Sequence, residues 1–208
     1  MTILPSSDGS LRSLLKDATA DLHDVVDLEF GRFDLNEEDG YRRFIVAHWI
    51  AMQAAQAQLA AFARNHLNID APDFLAMIAQ DMEAAGITGI EGPGLSFDPV
   101  KAQDRGAGAG LCYVVCGSRL GIASISKAFL QSGTRSSLAS ESTYLTDRQG
   151  LALWRQFLDW DNNTEFSLEE VEAARNTAVE SFEIFRQGAL KAASANIHHN
   201  PYNQEAEA

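Results

Sequence analysis

Two short segments bring together residue types that can hold or transform a ligand. The first is Lys16-Asp17-Ala18-Thr19-Ala20-Asp21-Leu22-His23. At about 100° per helical residue, Lys16, Thr19 and His23 fall within about 60° of one another, on a strip bordering the apolar stripe of Leu15, Leu22 and Val26. A neutral imidazole at the edge of a core can ligate a metal or a haem iron through one ring nitrogen while the other donates to a neighbour. It can equally be a satisfied packing residue, and periodicity alone does not separate the two. The second segment, Gly117-Ser118-Arg119-Leu120-Gly121-Ile122, follows the strongly helical run Leu111-Cys112-Tyr113-Val114-Val115. Glycines four apart share a helix face and leave it free of side chains, so a flat ligand or another helix can approach the backbone there. Arg119, two residues beyond Gly117, should point away from that face.

The elements that must position these segments are helices. Apolar residues recur at three- and four-residue spacing and alternating runs are scarce, which predicts an all-α, single-domain helical bundle of six to eight helices. The first should start after the N-cap Ser10 and end before Gly31. A long second helix should run from near residues 36–39 to about His66, and a third over 72–85 should stop at Gly86. Residues 86–99, with their glycines and prolines, read as a loop, and a fourth, glycine-rich helical region should begin near Ala102. Helices over 145–160 and 167–191 complete the chain, the last opened by a Ser167/Glu170 capping box. The expected organisation is a flexible start over 1–9, a helical domain over 10–193 and a disordered tail over 194–208 that leaves His198 and His199 in solvent.

Composition narrows the function. The chain has 208 residues, 46% hydrophobic, with 16 Lys and Arg against 29 Asp and Glu and a formal charge of −13. Such a balance repels phosphate backbones and anionic membrane surfaces, so no nucleic-acid or membrane partner is expected, and an anionic ligand must meet a few locally placed cations. The start lacks a signal-peptide pattern and no stretch approaches ~18 uninterrupted apolar residues, which predicts a cytoplasmic protein. Cys112 and Cys116, four apart in a helix, lack unstrained disulfide geometry and should be reduced. A di-iron site on a helical scaffold would use Glu-x-x-His pairs, and the chain contains none.

Taken together, the segments resemble a known family. Leu15-Lys16-x-Ala18-Thr19-x-x-x-His23 is similar to the proximal helix of haem oxygenases, and Tyr113-Val114-x-x-Gly117-Ser118-x-Leu120-Gly121 to their glycine-bearing distal helix, in the version of the bacterial phytochrome-associated enzymes. Tyr41-x-x-Phe44 and Asp81-Met82-x-x-x-Gly86 also resemble that subfamily, and the order and separation of the pieces extend the resemblance over roughly residues 10–190. It implies a haem-degrading monooxygenase, an oxidoreductase that takes haem as both substrate and cofactor and yields biliverdin, carbon monoxide and iron. His23 would be the axial iron ligand. Gly117, Ser118 and Gly121 would form the distal catalytic face. Lys16, Thr19 and Arg155 would hold the tetrapyrrole, Lys16 and Arg155 through its propionates. An electron donor is then required, and a phytochrome is the implied partner for the bilin.

The sequence departs from the family pattern at four places. Ser118 stands where many members have aspartate, Cys116 replaces a frequent glutamate, Ile122 replaces a second glycine and could crowd the distal face, and Gln56 lies near a frequent glutamate of the second helix. Cys116 and Ile122 motivate an alternative in which the same pocket binds haem or a bilin, biliverdin included, without turnover, as a sensor, carrier or photoreceptor partner.

Overall fold

The structure, a computed structural model, describes residues 10–92, 94–132 and 137–200. It is all-α, with eight helices and one small sheet among those residues: α1 (Leu11–Phe30), α2 (Glu38–Phe62), α3 (Phe74–Ala84), β1 (Ile87–Glu91), α4 (Arg105–Ser132), α5 (Ser137–Glu141), α6 (Thr143–Thr146), α7 (Gln149–Asn162), α8 (Leu168–Ser194) and β2 (Asn196–His199). The caps follow the residue types. Ser10 accepts from the Ser13 amide ahead of α1, and Ser167 and Glu170 form a reciprocal capping box ahead of α8. The last turn of α2 widens into a π-helical turn, Ala63–Leu67, which ends at Asn68 in the left-handed region (φ 55°).

α8 is the central helix and lies against α4, α1 and α2. Part of the glycine density of α4 exists to let these backbones meet. A Cβ on Gly106 would sit 2.3 Å from the Glu170 carbonyl oxygen, and one on Gly110 2.0 Å from that of Ala174, so only glycine fits where α4 crosses α8. α1 lies on α8 and touches α4 and α7. Its start is fixed from a distance: the Asp161 carboxylate at the end of α7 accepts from the Leu11 and Arg12 amides at 3.1 and 3.2 Å, satisfying N–H groups that α1 itself cannot.

Three expectations need correction. The stretch read as a loop contains β1, and the stretch read as a disordered tail begins with β2. The two strands pair antiparallel, Ile90 with Ile197 and Glu91 with Asn196, because Ile90 and Ile197 pack on the core and the backbone between them gains ladder partners. His198 and His199 are exposed as expected, but on that strand, where His198 lies 3.3 Å from Glu91. The helical stretch expected over 145–160 divides into α6 and α7 at Asp147, whose carboxylate accepts from the Gln149 and Gly150 amides and opens α7. Residues 1–9 and 201–208 lie outside the described residues. Residues 105–127 of α4 are long and apolar enough to cross a membrane by composition, with more than half of that apolar window buried inside the bundle.

Candidate functional site

α1 presents His23 at the rim of the core. The imidazole side chain is 58% exposed, lies 3.3 Å from Asp27 one turn on, and meets the Phe182 ring of α8 edge-on at 5.9 Å. Lys16 is exposed on the same helix. Thr19 shares the helical strip with Lys16 and His23, but packing buries it. It is 2% exposed, and its hydroxyl donates to the Leu15 carbonyl at 2.8 Å, so its one strong donor is spent on its own helix.

The glycines of α4 divide into two kinds. Gly106 and Gly110 face other helices, whereas a Cβ on Gly117 would meet only the Trp154 ring of α7, at 3.7 Å, and one on Gly121 would meet nothing within 4 Å. Gly121 therefore lies in a helix interior, where glycine costs about 1 kcal/mol against alanine, with no packing reason. Neither departure at this segment blocks the open face. Ile122 is 5% exposed and Cys116 fully buried, both turned into the core. Cys112 and Cys116 are free thiols 3.6 Å apart, and burial pushes Cys112 well above the usual thiol range. The Ser118 hydroxyl donates to the Val115 carbonyl at 2.8 Å.

Beside this face, Leu120, Ala123, Ser124 and Lys127 of α4 and Leu151, Trp154 and Arg155 of α7 line a cleft of about 330 Å3. The structure thus brings Arg155 to the glycine-bearing helix and adds Lys127, which the sequence reading passed over. Its signal was the helical spacing Gly117, Leu120, Ser124, Lys127, visible once the face of α4 is known.

Behind the face is a buried polar network. Asp81 of α3 accepts from the Ser142 hydroxyl, from the Thr143 amide and hydroxyl at 2.8 and 2.7 Å, from the Tyr144 amide at 3.0 Å and from the Tyr41 hydroxyl at 3.3 Å. Burial and the Asp81 charge raise the Tyr41 phenol, which stays protonated. Gln56 uses both ends of its amide, donating to the Pro72 carbonyl and accepting from the Phe74 amide, which fastens the start of α3. A glutamate could not make the first bond. His48 of α2 is a core residue. Its Nδ1 donates to the Phe44 carbonyl at 2.9 Å, four aromatic rings surround it, and burial lowers its pKa to about 3. His66 rests on Phe62 and Trp160 at the far end of α2. Among the described residues no three His, Cys, Asp or Glu side chains converge as a metal site.

The fold and this face define an all-α bundle with an exposed histidine helix, a glycine-faced helix and a cation-rimmed cleft. No protein-family model matches the chain, and no curated protein does.

Proposed function

We propose that the protein binds haem between the histidine helix α1 and the glycine face of α4, and degrades it to biliverdin, carbon monoxide and iron. The observation that carries the reading is Gly121: a helix-interior glycine whose missing side chain faces open space beside a cleft rimmed by two cations. A flat ligand needs such a face, and the propionates of haem need cations that an acidic protein otherwise lacks. The residue types present are ones that can hold the group. His23 would hold the iron through a ring nitrogen, Gly117 and Gly121 would leave a face free of side chains for the ring, Trp154 would give an apolar wall, and Lys16, Arg155 and Lys127 would partner the propionates. Haem iron, when bound, supplies the dioxygen and electron chemistry. The chain orients the ring, keeps bulky side chains off one face and holds the propionates at the rim. Turnover then needs an electron donor, and a phytochrome is the bilin partner the resemblance implies.

A second reading, haem or bilin binding without turnover, is favoured by Ser118. Its hydroxyl is committed to the Val115 carbonyl, so it does not offer its proton to water over the open face. Reconstitution with haemin followed by a reductant in air separates the two. Loss of the Soret band with growth of bilin absorbance supports the enzyme, and a stable haem spectrum sinks it. His23→Ala should fold and lose the parent's ferric spectrum; an unchanged spectrum would remove His23 as the axial ligand.

A further inference from the structure

Arg119 is the largest fully buried side chain among the described residues, at 1% exposure, and it lies about 160° around α4 from both Gly117 and Gly121. Its Nη2 donates to the Tyr144 carbonyl of α6 and lies 3.5 Å from an Asp147 carboxylate oxygen, while the guanidinium carbon sits 4.4 Å from the Tyr144 ring centre and 5.1 Å from that of Phe74. Nε and Nη1 are buried with no hydrogen-bond partner among the described residues. A buried guanidinium satisfied this sparingly is a costly way to fill space, because apolar residues of the same volume serve at least as well. Its position suggests another use. Asp147 opens α7 by accepting from the Gln149 and Gly150 amides at 2.8 and 2.9 Å. Gly150 rests on the arginine itself: a Cβ there would lie 2.8 Å from Arg119 Cγ and 2.9 Å from the Asp147 oxygen. One helical turn later α7 carries Trp154, which faces Gly117, and Arg155, which lines the cleft.

We infer that Arg119 is a positioning residue: with Asp147 it seats the start of α7 on the back of the glycine segment and so sets the gap between the Gly117–Gly121 face and Trp154 and Arg155. This rests on the proposed haem site for its functional meaning, though the clamp itself can be measured without haem. Asp81 supports it from the other side by holding the α6 backbone whose carbonyl Arg119 uses. The side chain rests on Gly150 through Cγ and Nε while Nη2 reaches the Tyr144 carbonyl and Asp147, so lysine, which lacks the planar head, should not substitute fully.

The test uses the full chain with Arg119→Met, which keeps length and removes the fork, Arg119→Lys, and the double variant Arg119→Met with Asp147→Asn, which leaves no unbalanced buried charge should Arg119→Met alone fail to fold. Amide hydrogen exchange is read peptide by peptide, and haemin dissociation is followed by transfer to a scavenger protein. Arg119→Met should speed exchange about tenfold or more in residues 113–124 and 149–158 while α1 and α2 keep the parent's protection. The double variant should add little further, and Arg119→Lys should recover part of the protection. Haemin should leave Arg119→Met at least tenfold faster, with a changed ferric spectrum. Uniform acceleration across the bundle, or unchanged exchange in those two segments, overturns the clamp. If the parent takes up no haemin, the proposed haem site fails and the exchange result still decides the role of Arg119. If the parent binds haemin and the clamp variants lose exchange protection but keep its dissociation rate and spectrum, the positioning role is overturned.

Discussion

Adding one methyl group to different glycines of α4 should have opposite effects, and the structure sets the sign of each. Gly121→Ala places a Cβ where nothing lies within 4 Å and gains the helix-propensity difference, about 1 kcal/mol. For a chain of this size that corresponds to a rise of roughly 2–4 °C in Tm. Gly110→Ala places its Cβ 2.0 Å from the Ala174 carbonyl oxygen, far inside contact distance, so α4 and α8 must separate. The overpacking penalty, about 1–3 kcal/mol or more, outweighs the propensity gain, and the protein loses stability. Denaturant melts of the two variants without haem check these signs. Haemin titration then supplies the functional half. On a face meant for a flat ligand the extra methyl of Gly121→Ala should weaken haemin binding at least tenfold, about 1.4 kcal/mol, while the ligand-free protein becomes more stable. A Gly121→Ala variant that is less stable, or that binds haemin like the parent, would refute the reasoning that this glycine is kept for a ligand. Gly117→Ala, whose Cβ would make ordinary contact with Trp154, should behave like Gly121→Ala.

Other outcomes follow from the same geometry. Asp81→Ala should be among the most destabilising single changes, by about 3–5 kcal/mol, because it leaves two amides and three hydroxyls of α2 and α6 without their acceptor; loss of less than about 1 kcal/mol in a urea melt would contradict this. His48 titrates near 3 in the fold and near its ordinary 6.5 when unfolded, so the unfolded chain binds the extra proton between those values and stability falls as pH drops from 6.5 to 3. His48→Phe should flatten that part of the stability–pH curve, and an unchanged slope would place the titration elsewhere. Glu170, held near 2 by Arg105 against its ordinary 4.5, contributes stability above pH 4.5 that is lost as pH falls toward 2; Arg105→Met should remove most of that acid-side slope. Arg155→Ala and Lys127→Ala should each weaken haemin binding and reduce its dependence on salt, measured by titration at two ionic strengths.

Local signals explain what was readable before the fold. Ser10, the Ser167/Glu170 box and the three- and four-residue apolar spacing act within one turn, and the structure agrees with them at α1 and α8. The missed pieces depend on partners far along the chain. β1 and β2 each look like irregular stretches, and they become strands only because residues 87–91 and 196–199 supply each other's hydrogen bonds. The cap that Asp161 gives to α1 crosses 150 residues, and no pattern near Leu11 announces it.

The site divides the same way. From residue types and spacing alone come an all-α chain, a histidine at the edge of an amphipathic helix, and a glycine pair on one face of another, because helical rotation is fixed and the backbone leaves side chains no freedom to change face. What covers each face is a property of the assembled bundle. Spacing treats Gly110 and Gly121 alike, yet one lies against the α8 backbone and the other against open space; it groups Thr19 with His23, yet packing buries the first and leaves the second at the rim. Arg119 reads only as a residue turned away from the glycine face until α6 and α7 close over it, since burial is decided by which helices meet, and that is set by contacts between residues that the sequence keeps far apart.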